Sequence, residues 1–307
     1  MKNSLSNRSL ISILDLSKQE ILFILKRAAE MKNNIPTTLL KSKILASCFY
    51  EPSTRTRLSF ESAMIRLGGH VIGFADPEFT SAKKGESLQD AMKIMGQYAD
   101  ILVLRHPSEG AARLASESTL KPVINAGDGA NQHPTQTLLD LFTIKECQKT
   151  LKNLRLAFVG DLKCSRTVHS LSQACAHFDM RLFFVSHEKL VLPEEISHFL
   201  KKQGVTFSFH RTIEEVLDQV DILYMTRIQK ERLSPSLYEE CKDRCILTEK
   251  MLKKAKENLK ILHPLPRTHE IEASIDKTPF AYYFQQAENG LYVRMALLSL
   301  ILETFSE

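Results

Sequence analysis

Short runs of β-branched and other apolar residues alternate along the chain with longer stretches whose apolar positions recur at helical spacing. The runs fall at Ile44 to Tyr50, Ile101 to Leu104, Val123 to Ile124, Leu154 to Val159, Leu182 to Val185, Val205 to Phe209, Ile222 to Met225 and Leu259 to Leu262. Each reads as a buried strand. The stretch after the first run carries Phe60, Ala63, Met64 and Leu67 on one face of a helix, and another, beginning at His133 and Pro134, carries Leu138, Leu141 and Phe142. Pro134 suits a first helical turn, where a missing amide hydrogen costs nothing. Strands alternating with amphipathic helices predict an α/β fold with parallel sheets covered on both faces.

Length turns this into two bodies. A chain of 307 residues exceeds a single core of ordinary size, so two doubly wound domains are expected, each a mostly parallel sheet covered by helices. Residues 1–134 build the first and 135–287 the second, with the helix from His133 bridging them. A last helix, about Gln286 to Phe305, has the pattern to join either, and residues 288–307 are assigned back to the first. No repeat, low-complexity run or Gly/Ser linker marks the boundary.

Composition narrows the partners more than the fold. Apolar residues make up 43% and charged residues 25%, the balance of a soluble globular protein. Lys and Arg exceed Asp and Glu by 41 to 36, too little and too evenly for a nucleic-acid groove, while small anions stay in play. The first sixteen residues lack a secretory apolar core. The apolar stretch Ala296 to Leu302 is far short of the roughly 20 residues of a membrane span, so no membrane partner is expected. Six cysteines, at 48, 147, 164, 175, 241 and 245, form neither a CxxC pair nor a Cys/His cluster at zinc spacing. Reduced thiols in a cytoplasmic protein, with no metal site, is the expectation.

In open parallel sheets ligands bind beyond the carboxyl ends of strands, where helix N-termini and loop amides converge. After the runs come Glu51 to Arg57, Arg105-His106-Pro107, Asn125 to His133, Asp161 to Arg166, Thr226 to Gln229, and His263-Pro264-Leu265-Pro266-Arg267. Hydroxyls and amides at Ser53-Thr54-Arg55-Thr56 make a phosphate cradle, although by position alone a plain helix cap is the commoner use of Ser53. Arg55 and Arg57 shift the balance, because a cation at a helix N-terminus needs an anion beside it, Glu51 being one candidate. A lone histidine such as His133 is more often structural than catalytic. Arg166 and Arg227 follow two different strands; two guanidinium forks suit a dicarboxylate, and the plain alternative for each is a surface ion pair. Lys83 and Lys84 sit in a polar loop where most lysines are merely solvated.

Taken together, Ser53-Thr54-Arg55-Thr56-Arg57, Arg105-His106-Pro107, His133-Pro134-Thr135-Gln136 and His263-Pro264-Leu265-Pro266-Arg267 resemble the carbamoyltransferase family in order and spacing over essentially the whole chain. The segment Tyr224 to Arg232 and the leucine of the His-Pro-Leu-Pro motif look like the aspartate-using branch; ornithine-using members carry a cysteine in that motif and a Ser-Met-Gly segment, both absent here. The resemblance implies that carbamoyl phosphate is held by Ser53, Thr54, Arg55 and Thr56, with Arg105 reaching phosphate and carbonyl oxygen. It implies that His133 donates to that oxygen and Gln136 holds the carbamoyl amide, and that Arg166, Arg227 and Gln229 bind the L-aspartate carboxylates beside backbone groups of Pro264 and Leu265. Ser81 and Lys84 match residues the family lends to a neighbouring subunit, although the loop here is one residue shorter just before Lys83. A homotrimer with shared sites and no cofactor follows. Glu109 and Arg113 match the docking region for a regulatory chain, while Cys164, Leu237 and His269 depart from the tyrosine, glutamate and aspartate of regulated members, which puts the usual cooperative switching in doubt. The rivals are a carbamoyltransferase for another amino acid such as ornithine, a silent scaffold relative, which the presence of Arg55, His133 and Lys84 opposes, and a dehydrogenase, which the lack of GxGxxG opposes.

Overall fold

The computed structural model describes residues 3–303, and the chain divides into two compact units, Met1–Phe142 with Glu288–Glu307, and Thr143–Ala287. In the first unit the order is α1 (Lys18–Asn33), β1 (Ile44–Phe49), α2 (Thr54–Arg66), β2 (His70–Phe74), α3 (Leu88–Tyr98), β3 (Ile101–His106), α4 (Ala111–Ser118), β4 (Val123–Asp128) and α5 (Pro134–Gln148). In the second it is β5 (Arg155–Val159), α6 (Arg166–Cys175), β6 (Arg181–Val185), α7 (Glu194–Lys202), β7 (Phe207–His210), β8 (Ile222–Met225), α8 (Pro235–Cys241) and β9 (Lys260–Leu262), followed by α9 (Tyr283–Leu302), which starts in the second unit and continues in the first. The division falls inside two continuous helices, between Phe142 and Thr143 in α5 and between Ala287 and Glu288 in α9. α9 starts earlier than the sequence pattern suggests; the expected end at Phe305 lies outside the described residues.

Both sheets are parallel throughout, ordered β2-β1-β3-β4 and β7-β6-β5-β8-β9. Central strands buried on both faces explain the unbroken apolar runs: β8 is buried at all four positions, and β1 at all but its first. β2 escapes that pattern. Its residues His70–Phe74 lie largely exposed on a sheet edge, so the apolar signal that marks the other strands is missing. One core cluster packs Ala46, Cys48, Leu102 and Leu104 of the first sheet against Met92, Ala112 and Ala115 of its helices. The other packs Ala157, Val159, Phe183 and Leu223 against Val216, Leu247, Ile275 and Tyr283. α2 buries Phe60, Ala63 and Met64, the face its spacing foretells.

Each sheet contains one point where successive connections leave in opposite directions: between β1 and β3 in the first, between β5 and β8 in the second. The loops there diverge and leave a crevice beyond the strand ends. Gly160 makes one such crevice by close approach. Its φ is +114°, and a Cβ added there would lie 2.3 Å from the Thr226 carbonyl oxygen, with Thr226 itself bonded through its amide to Val159 O at 2.8 Å. Gly160→Ala should therefore cost roughly 2 kcal/mol or more by combined strain and clash. A urea titration reads this directly, and an unchanged unfolding midpoint would contradict it.

Candidate active site

Beyond the first switch point, α2 begins without a cap of its own. Ser53 occupies the N-cap position with extended backbone, yet its hydroxyl makes no capping bond, and the first turn holds no acidic residue. Other serine-headed helices behave differently: Ser17, Ser87 and Ser234 each accept a hydrogen bond from an amide of the helix they start. The positive end of the α2 dipole at the Thr54 turn therefore favours an anion. Thr56 is buried and Arg55 exposed. Arg57 is occupied structurally, 3.3 Å from Glu61, which also accepts from Ser47 at 2.9 Å.

Arg105 stands at the end of β3 beside this turn. It pairs in register with Phe49 of β1, and its carbonyl accepts from the Tyr50 amide at 2.8 Å. Its guanidinium is largely buried, with Nε 3.0 Å from a Glu51 carboxylate oxygen and Nη1 donating to Ala126 O at 3.3 Å. Glu51, offered to Arg55 by the sequence, therefore ion-pairs Arg105 and orients its fork. His106 serves the backbone: its Nδ1 accepts from the Ser108 amide at 3.0 Å, and burial pulls its pKa below the usual value.

His133 is delivered by the loop after β4, which a buried carboxylate organises. Asp128 is 1% exposed and accepts from Asn125 Nδ2 at 2.8 Å, Gln132 N at 3.2 Å, Gly110 N at 3.0 Å and Asn131 Nδ2 at 3.1 Å. Four donors around one buried carboxylate fix the loop, and the Gly129 amide ties it to His106 O at 3.0 Å. His133 is itself buried and heads α5, its carbonyl accepting from the Gln136 and Thr137 amides. Gln136 is buried one turn in and donates to Asp140 at 2.8 Å.

Ser81 and Lys84 stand apart. They lie on the 3-10 turn Ser81–Lys84 beyond the edge strand β2, both exposed. Among the described residues neither side chain bonds to Ser53–Thr56, Arg105 or His133. Neighbouring Lys83 pairs with Glu78 at 2.9 Å.

The second switch point repeats the scheme with a different cargo of side chains. α6 starts at Arg166 under Ser165, again without a capping bond or a first-turn acid. Asp161, fully buried, accepts from the Cys164 amide at 2.9 Å and the Gln229 amide at 3.4 Å, joining the loop after β5 to the loop after β8. Burial raises its pKa against the lowering effect of these amides. Arg227 is half-buried and its fork meets Glu231 one turn on, Nη1 donating at 2.9 Å and Nη2 to the other oxygen. The plain ion-pair reading of Arg227 therefore holds in part, since Glu231 orients the guanidinium. Gln229 is half-buried at the head of the Lys230–Arg232 turn.

The segment after β9 is folded about a buried histidine and glutamate. His263 Nε2 lies 2.7 Å from Glu270 Oε1, its Nδ1 accepts from the Leu265 amide at 2.8 Å, and its own amide donates to Gln286 at 2.7 Å. A ring nitrogen that accepts from an amide leaves Nε2 to carry the proton to Glu270. Leu265 takes a left-handed φ of +54° beside the cis Leu265–Pro266 bond, and with Pro264 it remains partly exposed. Arg267 is no part of the candidate site: it pairs with Asp276 and donates to the Tyr283 hydroxyl at 2.9 Å. Among the described residues no group of three or more His, Cys, Asp or Glu is arranged to hold a metal ion.

Sequence reading overlooked Glu231, Asp161, Asp128, Asp140 and Glu270. Glu231, four residues after Arg227, and Asp140, four after Gln136, carried a legible helical-spacing signal; the others act through contacts that spacing does not fix.

Comparison with known proteins agrees with this division of labour. The family model described as aspartate/ornithine carbamoyltransferase, carbamoyl-P binding domain, matches residues 8–146, and that of the Asp/Orn binding domain matches residues 152–301. The chain belongs to this family. The aspartate carbamoyltransferase catalytic subunit of Vibrio vulnificus strain YJ016 is 57% identical over 305 residues, 98% of this chain and 99% of that one. Catalytic subunit 2 of Shewanella halifaxensis is 55% identical over 303 residues, 98% of each. Among solved structures, aspartate transcarbamoylase of Trypanosoma cruzi with carbamoyl phosphate and aspartate superposes with a TM-score of 0.93 at 35% identity, covering 98% of both chains. The catalytic subunit from M. jannaschii gives 0.88 at 49% identity, covering 95% of this chain and 97% of that one.

Burial alone would raise the Glu270 carboxyl, but hydrogen bonds from His263 and the Thr268 hydroxyl bring it down to about 2, from an ordinary 4.5. The stabilisation it gives is whole above about pH 4.5 and is lost as pH falls towards about 2. Glu270→Gln should weaken the second unit at neutral pH and flatten its acid sensitivity across that window. Denaturant titrations at several acidic pH values, showing an unaltered slope, would rule this out.

Proposed function

We propose that this carbamoyltransferase moves the carbamoyl group of carbamoyl phosphate to the amino group of L-aspartate, giving N-carbamoyl-L-aspartate and phosphate. The observation that carries the reading is the matched pair of switch points. One presents an uncapped helix start with Ser53, Thr54, Arg55, Thr56 and Arg105, a phosphate site by its chemistry. The other presents an uncapped helix start with Arg166 and Arg227, a dicarboxylate site by its chemistry. Relatives named aspartate carbamoyltransferase at 55% and 57% identity support the choice of acceptor, as does a T. cruzi structure holding N-(phosphonacetyl)-L-aspartic acid.

In this mechanism the aspartate amine attacks the carbonyl carbon, a C–N bond forms, and the carbonyl oxygen takes up negative charge. Thr56, Arg105 and His133 donate to that oxygen. Donors fixed in advance by Glu51, by the Asp128 loop and by the α5 start need no rearrangement as charge develops. Collapse breaks the bond to the phosphate oxygen; Arg55, Arg105 and Lys84 stabilise the departing phosphate, which accepts the amine proton and leaves as the hydrogen phosphate dianion. Gln136 holds the carbamoyl amino group. Arg166, Arg227 and Gln229 hold the two carboxylates, with Pro264 and Leu265 backbone groups completing the pocket.

Ser81 and Lys84, exposed on their turn beyond a sheet edge, are suited to serve a neighbouring subunit, so the working form is a homotrimer with shared sites. A regulatory chain remains a candidate partner at Glu109 and Arg113, of which Arg113 lies 3.3 Å from Asp15. Six free thiols fit a reducing cytoplasm, where the product enters pyrimidine synthesis.

His133→Ala should lower kcat by about 10²- to 10³-fold, the usual loss for one oxyanion donor; wild-type turnover would refute its role. Arg227→Ala should raise the KM for aspartate and leave that for carbamoyl phosphate, whereas equal losses for both would argue against the assignment. Mixing inactive Arg55→Ala and Lys84→Ala chains should restore partial activity, and verified hybrids without any would count against shared sites.

A further inference from the structure

Gln136 has an orientation its surroundings dictate. Its Nε2 donates to Asp140 Oδ1 at 2.8 Å, one turn along α5, and Asp140 is fully buried. A carboxylate has no proton to offer, so the Gln136 amide must turn its NH2 group towards it and its oxygen away. That oxygen accepts no hydrogen bond from any described residue, although Gln136 keeps 8% exposure.

A cation from α9, Arg294, acts on Asp140 electrostatically. Arg294 is almost wholly buried, with its guanidinium carbon 5.1 Å from the centre of the Phe60 ring. Gly290 leaves it room, since a Cβ there would lie 2.4 Å from Nη1. Burial pulls the Arg294 pKa down to about 10, against the opposing pull of Asp140, so the group remains cationic at neutral pH. Two opposite charges sealed in one core are tolerable only together.

We infer that Asp140, backed by Arg294, is a positioning and specificity residue: it fixes the Gln136 amide so that an acceptor, not a donor, faces the ligand. The inference rests on the proposed contact between Gln136 and the carbamoyl amide. A carbamoyl group has an NH2 end and an oxygen end of nearly equal size. An acceptor at Gln136 admits only the NH2 end, which leaves the oxygen for the donors His133 and Arg105. The same acceptor finds no partner in the methyl of an acetyl phosphate, so acyl phosphates of matching shape are disfavoured.

The test compares the KM for carbamoyl phosphate with the competitive inhibition constants of acetyl phosphate and inorganic phosphate. Asp140→Asn replaces an acceptor-only carboxylate by an amide that carries its own NH2 donor, so the Gln136 amide is no longer held in one orientation. Carbamoyl phosphate should weaken about tenfold or more, while acetyl phosphate and inorganic phosphate stay within about twofold. All three weakening together, or none, overturns the proposal. Gln136→Leu leaves the Asp140–Arg294 pair intact and serves if the first variant does not fold; it should show the same selective loss. In the Gln136→Leu background, Asp140→Asn should add no further selectivity change, because its effect acts through that amide. Selective loss in Gln136→Leu without loss in Asp140→Asn sinks the orienting role alone. No selective loss in Gln136→Leu removes the carbamoyl contact beneath it.

Discussion

Parallel strand direction is the constraint from which the rest follows. A parallel sheet sends every strand end of one polarity to the same edge, and its right-handed crossovers return the chain over the faces. Residues distant in sequence then meet without any local code for meeting: Glu51 follows β1 and Arg105 ends β3, yet they lie 3.0 Å apart. Asp161 and the Gln229 amide meet in the second unit on the same terms. Reversing one strand in either sheet would scatter these groups to opposite edges.

Chemistry is then divided by charge type. Carboxylates that stay with the protein, Glu51, Asp128, Asp161, Glu231 and Glu270, each aim a donor or close a loop. In the proposed function the cations and amides near the ligands serve anions that arrive from outside. Donors aimed in advance limit the reorganisation that a developing charge demands. Buried carboxylates with several donors are costly to break, since losing one partner leaves the others facing an unpaired charge.

The sequence made the central strands, the apolar faces of α2 and α5 and the proline start of α5 legible because burial on both faces leaves a continuous apolar signal. It hid β2, whose His70–Phe74 residues sit on an exposed edge. Among candidate site residues, Ser53 to Thr56, Arg105 and Arg166 were visible because each sits at or beyond the carboxyl end of a strand. Asp128 and Glu270 were not, because a single acid in a loop looks alike whether it faces water or four amides. Arg294 was hidden for the opposite reason: inside an apolar helix, one arginine reads as a solvent-facing interruption, and only its place over Phe60 reveals a core residue.

The bare starts of α2 and α6 carry a wider consequence. A helix whose opening turn lacks its own acceptor is finished by its visitor, so substrate and scaffold complete one another's hydrogen bonding. Folding gives neither turn a capping bond from its own serine. On the proposed function the protein thus keeps in reserve, at the two helix starts assigned to small anions, a measure of order that only the reactants supply.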